Sequence, residues 1–442
     1  MRTAVFEASW RDPAEVLSAL GERPWTIGFL TGGAASGWSY VAAEPAAACI
    51  LEPDDPRDPV AALRELLGPS TEPVPDGSPF QGGVAGLLGY DLGDRFEPIG
   101  LPRHDGWPDL ACARYDALLA FDHGRRRVLA IGRGGTAAKA QAAAATARGW
   151  LDLPPRPARS LSCPLQADSV AAYEQGVAEI VERIAAGEIF QANLARRWLG
   201  RLPADAAPID LMTRLAQSSP APFAAYLRLP DRAVVSNSPE RFLKIGRAGG
   251  DLVAETQPIK GTAPRGATAA EDRALAAGLA ASAKDRAENL MIVDLMRNDL
   301  ARVCTPGGVR TPELFRVATF ANVHHLVSTV TGRLADGRTA LDLLRAAFPP
   351  GSITGAPKVQ AMKVIADLEG ARGPFFGSMF WLGGDGGLDS SVLIRTAAFV
   401  QDAKGWRLEA RAGAGVVADS RPAGERIETE TKIAALAAAL QS

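Results

Sequence analysis

Lys260 stands in an extended polar stretch, Glu255 to Gly266, between apolar Ile259 and the pair Gly261-Thr262. A lysine so placed is either an ordinary loop charge or, where the surroundings lower its pKa, an amine nucleophile that can add to an electrophilic carbon. Two acid pairs, Asp285 with Glu288 and Glu425 with Glu428, have the three-residue spacing that puts both carboxylates on one helix face. Oxygen donors in that pattern suit a hard cation, but they equally suit a solvated surface, with Glu428 and Lys432 an ordinary i,i+4 ion pair. Gln191 and Asn193 alternate onto one face of an extended stretch, aimed into a cavity or at solvent. Between Pro349 and Gly370 a glycine-rich turn runs into a helical segment, whose open amides suit an anion or merely a tight connection. A P-loop is excluded, because Gly355-Ala356-Pro357-Lys358-Val359 has no Ser or Thr after its lysine.

The elements that must position these residues follow from periodicity and punctuation. Pro349 and Pro350 bar helix before the turn, and a helix is expected from about Ala356, with Val359, Met362, Ile365 and Leu368 buried. Tyr173, Val177, Ile180 and Ile184 recur at helical spacing after Ser169, and Gly187 stops the run. A strand follows from Ile189 to Trp198. Strands at Tyr115 to Phe121 and Arg127 to Ile131 pair about a turn at Asp122-His123-Gly124, and Ala137 to Trp150 is helical. The early part, Trp25 to Ile50, holds strands broken by Gly32-Gly33 and Gly37. Leu153 to Pro164 is proline-rich and reads as a surface linker, which divides the chain into an N-terminal subdomain (1–152), a linker (153–167) and a catalytic region (168–442). Lys284 to Ala301 and the last segment, from Gly424, are helices carrying the acid pairs.

Composition excludes several classes. The chain has 442 residues, 47% of them hydrophobic, with 48 basic against 50 acidic residues, so no electrostatic footprint for nucleic acid or an anionic membrane exists. Its first residues lack the apolar core of a secretory signal, and no apolar run reaches the roughly 20 residues of a membrane helix. Four cysteines, at 49, 112, 163 and 304, have no Cys-x-x-Cys spacing and suit reduced thiols in a cytoplasm.

Read whole, Pro349 to Lys358 closely resembles the PPGSITGAPK signature of the chorismate-utilising enzymes, the family of anthranilate, aminodeoxychorismate and isochorismate synthases. The likeness is close from Ser169 onward and looser before it. GEIFQANL resembles the family's G-[DE]-I-[FY]-Q-x-N-L, where glutamine, here Gln191, marks the ammonia-using branch and lysine the water-using one. SNSPERFL resembles the stretch whose glutamate, here Glu240, acts as general acid at the departing ring hydroxyl. P-I-K-G-T resembles the signature of the para-aminating branch, in which the lysine, here Lys260, attacks the ring; anthranilate synthases carry alanine there. The resemblance further implies that His325 of N-V-H-H-L-V-S lies in the pocket while His324 faces away. Thr262, Thr354, Arg395 of I-R-T, Gly413 and Gly415 of AGAGV, and Lys432 are then substrate contacts. It makes Asp285, Glu288, Glu425 and Glu428 the residues around one Mg²⁺ that holds a carboxylate of chorismate.

Two departures stand out. The stretch matching the family's inhibitor-binding Leu-Leu-Glu-Ser reads Phe29-Leu30-Thr31-Gly32, without the serine, so tryptophan inhibition is not implied. In R-G-x-[YW]-x-G the aromatic donor is replaced by Phe375, which cannot donate a hydrogen bond. The expected fold is the family's mixed α/β architecture, two facing antiparallel sheets with outer helices and a central cleft. The expected activity is amination of chorismate with ammonia from a separate glutaminase subunit, because no cysteine here sits at a glycine-flanked elbow. An anthranilate-forming enzyme and a catalytically silent chorismate-binding relative are the alternatives, separated by product and by turnover.

Overall fold

Strand Ala117–Asp122 shows how the chain builds its layers, because its alternate residues belong to different cores. Leu118 and Ala120 point into the space between two sheets, whereas Leu119 and Phe121 point outward beneath helices. The neighbouring strand Arg127–Gly134 divides in the same way, Leu129 and Ile131 inward and Val128 and Ala130 outward. Strands covered on both faces need apolar residues at successive positions, which is why these read as continuous hydrophobic runs.

The computed structural model describes residues 1–32, 37–320 and 323–441. Among them are two antiparallel sheets, one of twelve strands and one of ten, with helices on the outer faces. This is the facing-sheet architecture expected from sequence. Both sheets take strands from either side of the proline-rich stretch. That stretch is not wholly at the surface: Leu161 and Cys163 are buried, and the Cys163 amide donates to the Leu440 carbonyl at 2.7 Å. The three-part division therefore orders the chain without separating its sheets.

Three crossings between the sheets matter most. The chain leaves the ten-stranded sheet after Leu110–Tyr115 and enters the larger one at Ala117–Asp122. It moves from Arg232–Ser238 in the larger sheet to Arg241–Ala248 in the smaller, passing Glu240. It returns from Leu388–Val392 to Thr396–Asp402, passing Arg395. The last two crossings lie side by side, since the Val392 amide donates to the Glu240 carbonyl at 3.1 Å and the Asn237 amide to the Arg395 carbonyl at 3.1 Å.

The helix expected after Ser169 spans Val170–Ala185, with the Ser169 hydroxyl capping Ala172 N at 3.3 Å and Gly187 at a φ of 78°. The strand after it is Gln191–Arg201, so Phe190 lies outside it and is exposed, while Ala192 and Leu194 enter a small core with Val177, Ile180, Val364 and Ile365. The helix placed from about Ala356 begins two residues later, at Lys358–Glu369, because Gly355–Ala356 pairs as a short strand with Gln191 and Ala192. Cys49 and Cys112, remote in sequence, stand directly opposite on neighbouring strands, and the Cys112 thiol draws Cys49 down to about 7. Gly33 and Asn322 lie outside the described residues.

Candidate active site

Lys260 is placed by an irregularity in the sheet. Its strand, Ile259–Pro264, pairs with Val323–Leu334 but slips register between Ile259 and Thr262, so Lys260 and Gly261 form a bulge. Gly261 has a φ of 84°, and a methyl group on it would lie 3.0 Å from the Asp285 carboxylate. Glycine after the lysine is thus a geometric need. The bulge turns Lys260 toward strand Gly405–Val416 of the other sheet: a methyl group on Gly415 would lie 2.5 Å from Lys260 Nζ and 3.1 Å from Gln191 Nε2. Lys260 Nζ is also 3.6 Å from Glu288 Oε2. Lysine, glutamine and glycine strand, three separate motifs, therefore meet at one point in the seam.

Glu240, at the crossing between sheets, is only 5% exposed. Burial pushes its carboxyl up to about 7, against the Ser352 hydroxyl, the charges of Lys260 and Lys432, and the Ile259 amide, which pull it down. A carboxyl in that range holds a proton at neutral pH and can give it up. Ser352 belongs to the glycine-rich turn but was not singled out from sequence. Thr354, which was, has its hydroxyl committed to the Pro350 carbonyl at 2.8 Å and its amide to Gly351 O at 3.2 Å. It fixes the turn, with both its donors taken up inside the chain.

His325 is buried, with its Nδ1 2.9 Å from Thr262 Oγ1. Burial, then the nearby Arg395 and Lys432 charges, push the imidazole down to about 4, so it is neutral at ordinary pH and serves as a hydrogen-bonding group. His324 turns the other way, to Asp272 Oδ1 at 2.9 Å and Thr319 Oγ1 at 3.0 Å, in a structural network. Arg395, at a φ of 51°, makes no ion pair among the described residues, and burial presses its guanidinium below its usual range. An unpaired guanidinium in a seam suits a carboxylate. Lys432 reaches the Gly413 carbonyl at 2.8 Å and Glu428 at 2.6 Å. Phe375 is 1% exposed in the main core, beneath the Arg411 guanidinium 5.2 Å from its ring.

The two acid pairs come to the same side of the site from helices Ala283–Ala301 and Pro422–Ala439. They do not close on a common point: among the described residues no three His, Cys, Asp or Glu groups are gathered for a metal. The reason is competition from amines. Glu288 faces Lys260 at 3.6 Å and Lys284 at 3.8 Å, and Glu428 faces Lys432 at 2.6 Å. Glu425 is left buried, its carboxyl raised by burial and then by the Glu428 charge, while Glu428, its side chain 48% exposed, is held low by Lys432, Lys260 and Lys284. Oxygen donors with one raised carboxyl beside a second carboxylate fit a hard divalent ion.

Two residues of this site were only partly visible in sequence, Ser352 and Asn193. Arg372 is another. Fully buried between Tyr90 and Phe376, it donates to the carbonyls of Asn193 at 2.6 Å and Ile353 at 3.0 Å, tying the glycine-rich turn to the Gln191 strand.

Residues 28–438 match the family of chorismate binding enzymes. The chain is 43% identical to the aminodeoxychorismate synthase component 1 of Salmonella typhimurium, over 86% of this chain and 81% of that one. It is 42% identical to the anthranilate synthase component 1 of Streptomyces coelicolor, over 93% and 82%. Its fold superposes on the anthranilate synthase component I of Streptococcus pneumoniae with a TM-score of 0.79 at 28% identity, covering 90% of this chain and 92% of that one.

Proposed function

The chain belongs to the family of chorismate binding enzymes, and from that premise we propose that it is component 1 of an aminodeoxychorismate synthase, converting chorismate and ammonia to 4-amino-4-deoxychorismate. The observation that carries this reading is Lys260, turned by its bulge into the seam beside Gln191 and Gly415. An ortho-aminating enzyme has no need of an amine at that point.

Glu240 holds the proton that the departing ring hydroxyl requires, and the hydroxyl leaves as water while the Lys260 amine, through its lone pair, forms a carbon–nitrogen bond to the ring. Ammonia then bonds to the para carbon and Lys260 leaves with its electron pair. The proton shed by the new amino group returns to the Glu240 carboxylate, so the net change is exchange of a hydroxyl for an amino group. Arg395 and Lys432 orient the substrate carboxylates, and neutral His325, fixed by Thr262, supplies a hydrogen bond. Asp285, Glu288, Glu425 and Glu428 would hold Mg²⁺, some of them through water, and a bound ion would neutralise a chorismate carboxylate. A glutaminase subunit supplies the ammonia, and the four free cysteines favour a reducing cytoplasm as the compartment. No helix among the described residues is long and apolar enough to cross a membrane.

Product analysis tests this. With chorismate, Mg²⁺ and an ammonium salt, the purified chain is expected to yield a para-amino product that keeps its enolpyruvyl group. An ortho amine with released pyruvate would make the protein an anthranilate synthase component, and no turnover would make it a silent relative.

A further inference from the structure

Cys49 and Cys112 take no part in the chemistry above, yet the fold brings these two thiols together. Their strands, Ala47–Leu51 and Leu110–Tyr115, pair through five consecutive positions without a slip, and Cys49 stands opposite Cys112 at the middle one. Residues directly opposite on antiparallel strands share a face with Cα atoms about 4.5–5.5 Å apart, inside the range of about 4.4–6.8 Å that a disulfide spans. On its other flank Cys112 faces Gly86, so Cys49 is the side chain it meets across the sheet. Ala47–Leu51 is the last strand of its sheet, and Cys49 is part-exposed there while Cys112 is fully buried. The Arg57 guanidinium lies 3.9 Å from Cys49 Sγ. Cys112 and then Arg57 draw Cys49 down to about 7, against burial and the charges of Asp55 and Glu65. Cys49 and then burial push Cys112 well above the usual thiol range. At neutral pH one sulfur is a reachable thiolate and the other a protected thiol.

We propose that Cys49 and Cys112 form a peroxide-responsive dithiol, a modification site in which Cys49 is the attacking sulfur and Cys112 the resolving one. The oxidant is a hydroperoxide such as hydrogen peroxide. The Cys49 thiolate attacks one peroxide oxygen and the O–O bond breaks, leaving a sulfenic acid on Cys49. The departing hydroxide takes up the proton that Cys49 had released to solvent. The Cys112 sulfur then bonds to the Cys49 sulfur, the S–O bond breaks, and the hydroxyl leaves with the Cys112 proton as water. Two thiols and one peroxide thus give one disulfide and two waters, and a small dithiol reverses the change. Such bonds are transient in a reducing cytoplasm. The bond closes over residues 49–112, the stretch that holds Asp91, whose carboxylate accepts from the Arg372 and Gly373 amides at 3.0 and 2.8 Å. The two strands are already in register, so oxidation ties down the last strand, shields the exposed thiolate from irreversible oxidation and leaves turnover running.

The test treats the full chain, beside Cys49→Ser and Cys112→Ala, with equimolar hydrogen peroxide, then alkylates the remaining thiols and maps them by mass. The wild type should lose two alkylatable thiols together, yield a Cys49–Cys112 peptide pair and regain both thiols with dithiothreitol. Burial pushes the Cys163 thiol up and carries Cys304 to about 11, so oxidation at Cys49 should outrun theirs by about ten-fold or more. It should also quicken as pH rises through about 7. Cys49→Ser should lose the fast reaction, and Cys112→Ala should halt at a sulfenic acid on Cys49 that dimedone traps. The oxidised wild type should melt a few degrees higher and keep its rate of chorismate consumption. Overoxidation of Cys49 in the wild type while Cys112 stays alkylatable, or a disulfide that joins other cysteines or two chains, overturns the pairing. A Cys112→Ala variant oxidised no differently from the wild type does the same. Turnover that falls with disulfide formation and returns with dithiothreitol overturns the protective role.

Discussion

In the proposed mechanism Glu240 is neutral before the reaction and charged during it, and its position between the sheets makes both states accessible. Burial carries its carboxyl to about 7 while the charges of Lys260 and Lys432 await the carboxylate. The activity that needs its proton should therefore decline as pH rises through about 7. Glu240→Gln should lower the rate by roughly 10²- to 10⁴-fold, the usual worth of a general acid. The same substitution should stabilise the fold. Between the ordinary carboxylate range and about 7 the folded chain keeps a proton that the unfolded chain releases, so stability falls as pH rises through that window. Glutamine removes this cost, on the order of 3 kcal/mol at mildly alkaline pH and close to nothing near pH 4, below the window. Thermal melts at the two pH values check it; equal shifts would mean that the carboxyl is not held neutral. Lys260, Gln191 and Glu240 were readable from sequence because each sits in a distinctive short motif. Ser352 was not, since its contact with Glu240 is visible only when the neighbours are known.

Helices and strands were legible to within a few residues wherever apolar periodicity met a clear stop, as at Ser169 and Gly187. What the pattern missed was pairing. The start at Lys358 rather than Ala356 follows from a strand contact with Gln191, and the bulge at Lys260 follows from a register slip against Val323–Leu334. Both depend on segments remote in the chain. The acid pairs give a prediction at this scale. In the metal-free protein Glu425 is buried beside Glu428, so Glu425→Gln should raise thermal stability. Saturating Mg²⁺ should then stabilise the wild type, by about 2.7 kcal/mol at a hundred times its dissociation constant. The variant should gain less than half as much, and chelation should reverse the gain. An equal gain in both proteins would take Glu425 out of the metal site.

At the scale of the whole molecule, the site exists because two crossings between the sheets lie side by side and bring Glu240 and Arg395 to one seam. Sequence motifs indicated a shared pocket by resemblance but not this reason for it, because strand order is not written in local pattern. The sharing of both sheets between the chain's halves was hidden for the same cause. A chain with no elbow cysteine should use ammonium and leave glutamine untouched until a glutaminase is added; glutamine-dependent amination by the purified chain would contradict the two-component reading. The central claim, that Lys260 bonds to the ring, is met most directly by intact-protein mass measurement of wild type and Lys260→Ala quenched during turnover of chorismate with Mg²⁺ and limiting ammonium. The account predicts a substrate-derived mass increase on the wild type, located to Lys260, absent from the alanine variant, whose para-amination falls sharply while chorismate still binds. Full para-amination by Lys260→Ala, with no adduct on either protein, would contradict it.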